Sequence, residues 1–106
     1  MDKTIVFDAK GEQVEVIKEI PYPPIDLVDT VEDMNSDDYE RRFVAEYYQT
    51  KIRYDKLHKM IIKAEAGTLK FKPKCPISLL REQKTSMGNY LHCLEIRAEV
   101  EGINLF

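Results

Sequence analysis

The chain has 106 residues, 43% of them hydrophobic and 33% charged, with a net charge of −3. That length holds one domain, which alone buries only about two thirds of the surface its unfolded form exposes, so assembly with further copies would help it. No apolar run approaches the roughly 20 residues of a membrane span, and the start, MDKTIVFDAKGEQ, has no apolar stretch followed by a small-residue cleavage site, so a cytoplasmic protein is expected. The two cysteines, Cys75 and Cys93, are expected to be isolated thiols of a reducing compartment.

In chain order, KTIVFDAKGEQVEVIKEI offers two β-rich runs, Thr4 to Phe7 and Val14 to Ile17. Between them lies a turn-forming cluster in which Gly11 can take a positive φ, which predicts a β-hairpin. PYPPIDLVDTVEDMN follows. Its prolines favour an extended connection and its acids keep that connection solvated, so it reads as a linker or arm. A long helix is then predicted from SDDYERR, with Ser36 or Asn35 as N-cap and Asp37, Asp38 and Glu40 in the first turn, where they suit the helix dipole. It should run to about Ala66, where Gly67 stops it. After the basic loop TLKFKPKC, Pro76 opens a second helix that reaches about Glu101 and ends at Gly102. The expected fold is mainly α: an antiparallel helical hairpin over residues 37–106 that assembles into a helical oligomer. Residues 1–36 would form a short N-terminal β-hairpin arm and an acidic, proline-containing linker.

At 100° per residue, Phe43, Tyr47, Tyr54, Leu57 and Ile61 share one stripe of the first helix. Leu80, Met87, Leu91, Leu94 and Ala98 supply a facing stripe on the second. Other apolar residues fall elsewhere. Ile52 points about 180° from Phe43 and Met60 about 100° from it, while Cys93, Ile96 and Val100 lie roughly opposite the Leu80 stripe. Helices with two apolar faces sit inside assemblies, so an oligomer is expected, although the N-terminal hairpin could cover part of this surface instead.

Charge divides along the chain. Residues 1–38 hold eleven acids against three lysines, a net of −8, whereas residues 39–106 hold thirteen basic residues against eight acids, a net of +5. Residues 51–74 alone carry eight basic side chains against Asp55 and Glu65. Such a segment in an acidic protein suggests an anionic ligand, and a solvated lysine face is the plainer alternative. Tyr48, Ile52, Lys56, Lys59 and Lys63 recur at helical spacing, forming a strip with an aromatic ring that could stack on a base and ammonium groups that could neutralise phosphates. At 1.5 Å per residue, Tyr48 and Lys63 stand about 22 Å apart, too far for one small nucleotide to touch both on a single helix.

Other chemistries find little support. His58, His92, Cys75 and Cys93 lack paired metal-ligand spacing, and there is no glycine-rich phosphate loop or nucleophile triad. Glu46 and Glu82 are an acid/base pair only in the sense that any helical protein offers one. No enzyme, metal or cofactor is expected. Lys70, Lys72 and Lys74 alternate with Leu69, Phe71 and Pro73 in a loop that could meet nucleic acid, but the acidic first third argues against a nonspecific polymer binder.

YERRFVAEYYQTKIRYDKLHKMI together with LLREQKTSMGNYLHCLEIRAEVEGI, about residues 39–102, resembles the small phage proteins that counter CBASS immunity by sequestering cyclic oligonucleotides. Related small proteins occur in crAss-like phages. The resemblance implies a compact helical oligomer, a hexamer in the known cases, in the host cytoplasm. It would bind cyclic dinucleotides such as cyclic GMP-AMP between subunits and cyclic trinucleotides such as cyclic tri-AMP at separate sites, without cleaving either. By the same resemblance the stacking tyrosine falls on Tyr48, or on Tyr47 with a one-residue shift, and the phosphate-binding lysine falls on Lys63, with Lys59 a turn before it. The arginine of the last helix falls on Arg97. Antiparallel neighbouring subunits would bring Tyr48 of one near Lys63 of another. The rival reading is a nonenzymatic oligomeric adaptor or inhibitor that binds a host protein through its acidic N-terminal arm.

Overall fold

A computed structural model describes the backbone of residues 2–7 and 13–18, and residues 21–106 in full. Strands β1 (Asp2–Phe7) and β2 (Gln13–Lys18) pair antiparallel, with Thr4 opposite Val16 and Val6 opposite Val14. The turn expected around Gly11 lies outside the described residues. The rest is mainly helical: a 3-10 turn at Leu27–Thr30, a single helical turn α1 (Val31–Met34), and two long helices, α2 (Tyr39–Ala66) and α3 (Ile77–Glu101).

Local chemistry sets the helix ends. Asp38, rather than Ser36 or Asn35, is the N-cap of α2, its carboxylate accepting from the Glu40 amide at 3.0 Å. Ser36 acts one step earlier, its hydroxyl accepting from the Asp38 amide at 3.1 Å. The two oxygens take successive amides, and the carboxylate sits where it also meets the positive end of the helix dipole. Gly67 (φ 76°) and Gly102 (φ 71°) end the two helices in the left-handed region as expected, where a Cβ would be strained. Pro76 is the N-cap of α3, just outside its first turn.

The two long helices run antiparallel. Tyr39 meets Glu101 and Arg97, Tyr47 meets Glu95, Tyr54 lies against Gly88, and Glu65 meets Arg81. Phe43, Tyr47, Tyr48, Leu91, Leu94, Ala98, Ile103 and Leu105 form the core cluster, so the core sits where the first half of α2 faces the second half of α3. Each large apolar side chain enclosed there contributes about 1.5–3 kcal/mol. Toward the connecting loop the packing thins. Leu57, Leu80 and Met87 are only half-buried, and Ile61 is the buried residue of that end of α2.

The stretch expected to be an extended, solvated linker is instead folded onto α2. Asp29 takes the amides of Ile25 and Asp26 on one carboxylate oxygen, at 3.1 and 3.0 Å, which closes the 3-10 turn. Thr30 is 1% exposed. From there the segment lies along one face of α2: Asp33 pairs with Arg41, Met34 receives the Gln49 amide, Asp26 pairs with Lys56, and the Tyr22 ring stands edge-on to Tyr48 at 6.0 Å. Half-buried Leu27 and the enclosed Thr30 face the helix, whereas Ile25 and Val28 stay exposed; a reading of prolines and acids undervalued the side-chain contacts this segment makes. Ile52, expected to point away from the core, is buried on this face.

Candidate functional site

Tyr47 and Tyr48 are held by opposite neighbours. The Tyr47 ring is 1% exposed, and its hydroxyl donates to Glu95 Oε2 at 2.6 Å. Tyr48 is 7% exposed, and its hydroxyl donates to the carbonyl of Leu105. Burial first, and then the Glu95 carboxylate, pushes the Tyr47 phenol far above the ordinary tyrosine range, while burial and then Tyr22 raise Tyr48. Within one chain neither ring presents a face to a ligand. The expectation of an open aromatic strip is therefore corrected: Tyr22 on one side and Ile103 and Leu105 on the other enclose Tyr48, and Asp26 compensates Lys56.

Lys59 and Lys63 do stand together on an exposed face of α2. Among the described residues neither has a carboxylate within ion-pairing distance, in contrast to Lys51 on Asp55 and Lys56 on Asp26. Lys70, Lys72 and Lys74 are exposed just beyond, in the loop to α3. This end of the molecule is consequently mainly basic, with Glu65 paired to Arg81.

Arg97 lies at the opposite end. Its guanidinium sits 4.9 Å over the Phe43 ring, donates to the Tyr39 hydroxyl at 3.0 Å, and pairs with Glu101 at 3.3 Å. Tyr39 in turn donates to Glu101 at 2.7 Å. The structure brings Arg97 to none of the other expected site residues and gives it work as a clasp between α2 and α3.

Among the described residues, depressions that carry polar side chains include one between residues 22–44 and Ile103 and Asn104, with Asp33, Asp38 and Glu40; two others bear on an anion. One, of about 270 Å³, lies between the end of α3 and residues 102–106 and includes Glu95 and Glu99; its charge repels an anion. The other, of about 480 Å³, is an open groove between α2 and α3 near the connecting loop, with Tyr54, His58, Arg81, Lys84, Gly88 and Asn89 along it. Sequence reading placed Tyr54 in the core stripe, weighed His58 only as a metal ligand, and passed over Arg81, Lys84, Gly88 and Asn89. The available signal was the pairing of two i, i+4 couples, Tyr54 with His58 and Lys84 with Gly88, on facing helices.

Comparison with known proteins identifies a family. The family model described as Sequestin matches residues 37–100, which span both long helices. No curated protein and no solved structure matches the chain.

Proposed function

Since the chain belongs to the Sequestin family, whose name speaks of sequestering, we propose that it is a noncatalytic sponge. Its ligands would be anionic cyclic oligonucleotide messengers, cyclic dinucleotides and cyclic trinucleotides, which it binds and withholds as a phage counter-defence protein. The observation that carries this reading is the pair Lys59 and Lys63, exposed and uncompensated among the described residues, on the helix the family match covers. A sponge needs affinity alone, and two ammonium groups a turn apart suit a phosphodiester.

The second part of the proposal is assembly. Leu79, Tyr90, Ile96 and Val100 of α3 are all exposed, Val100 by 81%, and a partner copy would cover such a row. In the assembly Lys59 and Lys63 meet phosphates, while Tyr47, Tyr48 and Arg97 hold α2 and its neighbours in place from within. The adaptor reading has less to stand on, because Asp26 and Asp33 of the acidic segment are already paired with Lys56 and Arg41 of α2.

The test is calorimetric titration of the full chain with a panel of cyclic dinucleotides, cyclic trinucleotides and a cyclic ADP-ribose isomer, with its mass taken by light scattering. Submicromolar binding by an oligomer is expected, with the ligand recovered intact after denaturation. Lys59→Glu with Lys63→Glu should weaken that binding more than tenfold, which is over about 1.4 kcal/mol. A panel without any binder would reject the reading, and a cleaved ligand would replace it with an enzyme.

A further inference from the structure

The groove between α2 and α3 has features that helix packing does not require. Tyr54 and His58 stack in parallel, 10° between planes with centroids 6.4 Å apart. Lys51 and Lys84 approach the Tyr54 ring from α2 and α3, at 5.6 and 5.8 Å from its centroid. Lys51 is held by Asp55 at 3.1 Å, whereas Lys84 has no carboxylate partner among the described residues. Arg81 pairs with Glu65 at the groove's far rim.

Among the described residues His58 Nδ1 has no hydrogen-bond partner, and it is turned inward, away from solvent, so the part of the imidazole that lines the groove is the rest of the ring. Gly88 lets the edge of Tyr54 lie close to α3 at one wall of the groove. A Cβ there would stand 3.4 Å from the edge of Tyr54, and larger side chains would fill the space between ring and helix. The volume of about 480 Å³ falls in the range of small-molecule sites, which combine aromatic walls with a few convergent polar groups.

We propose that this groove binds a nucleoside phosphate, with the base against the Tyr54 and His58 side and the phosphate on Lys84 and Arg81. Asn89 offers an amide with both donors and an acceptor to a base edge, and an aromatic wall accepts any base because every base has a π-face. Among the described residues that line the groove Glu65 is the one acid, and its pairing with Arg81 leaves Lys84 as the cation that meets the phosphate first. The site deepens the sponge reading by naming where a nucleotide unit seats, and it rests on that reading only for the identity of the larger ligand.

The experiment uses 5′-AMP as the probe on the full isotope-labelled chain, following the imidazole signals of His58 and His92 and the side-chain amide of Asn89 by NMR. His92 is exposed on α3 away from the groove and serves as the internal control. The expected result is saturable movement of His58 and Asn89 with His92 unmoved, and at least fivefold weaker binding in Lys84→Ala. Movement of both histidines alike, no movement at millimolar AMP, or equal affinity in Lys84→Ala overturns the site. Calorimetry with a cyclic dinucleotide on the same two proteins separates the two proposals. Equal tight binding to both sinks the groove and leaves the sponge standing. A groove that takes AMP in a protein that ignores every cyclic oligonucleotide keeps the site and sinks the sponge.

Discussion

The hydroxyl of Tyr48 donates to the main-chain carbonyl of Leu105, fastening the middle of α2 to the segment beyond α3. Fifty-seven residues separate the two in sequence. This bond, with the ring's contacts to Tyr22 and Tyr47, makes Tyr48 part of the core. Tyr48→Phe should therefore cost about 1–2 kcal/mol in urea unfolding, because a buried carbonyl loses its donor. Tyr48→Ala should cost about 3–5 kcal/mol and is no clean probe of ligand stacking. Unchanged stability in both would mean that the ring is not enclosed.

Leu105 is 3% exposed and Ile103 7%, both in the core cluster. Leu105→Ala should destabilise by about 2–3 kcal/mol, in the range of buried leucine truncations. Circular dichroism on heating gives the comparison, and a melting temperature equal to that of the parent would show that residues 103–106 are not seated.

The raised phenols predict a dependence on alkaline pH. A group that holds its proton more tightly folded than unfolded contributes stability below its unfolded value, near 10, and loses it as pH climbs toward the folded value. Burial is the first cause for both Tyr47 and Tyr48. Stability should stay level with respect to these two groups up to about pH 10 and fall above it. Their tyrosinate absorbance should emerge together with loss of helical signal. Ionisation of all six tyrosines while the helices remain intact would contradict this.

Gly88 lies in the interior of α3 with ordinary room for a methyl group. Gly88→Ala should raise stability by about 0.5–1 kcal/mol through helix propensity. A fall instead would show that Tyr54 cannot yield at its edge.

Ile96→Asp addresses the exposed row on α3. The side chain is 51% exposed in the single chain, so the substitution should leave helical content unchanged and reduce the mass seen by light scattering. An oligomer of unaltered mass would move the search for the interface to another face.

The sequence announced the C-terminal ends of both long helices because they depend on single residues with special backbones. Gly67 and Gly102 have the conformations that only glycine takes without strain, and no distant contact is needed to predict them. The stripe of Phe43, Tyr47 and Ile61 was equally legible, since helical spacing alone puts those residues on one side. Coverage of the second face was not. Whether Ile52 meets solvent depends on where residues 22–34 fold, which no periodicity of α2 encodes. Tyr48 misled for a related reason: an aromatic ring near lysines reads as a stacking platform, but its hydroxyl needed an acceptor, and Leu105 lies too far along the chain for spacing to suggest it. The groove was hidden because it belongs to two helices at once, with Tyr54 and His58 on one and Lys84 and Gly88 on the other.

The family match stops at residue 100 and begins at residue 37, yet Tyr22 and Leu105, two of the groups that enclose Tyr48, lie outside those limits. The shared helix pair is thus a frame whose roof comes from its flanks. A fragment trimmed to the matched residues would expose the Tyr48 and Ile52 face to water and should prove sticky during purification. Grafting other flanking segments onto the same pair would change what stands over that tyrosine without redesigning either helix.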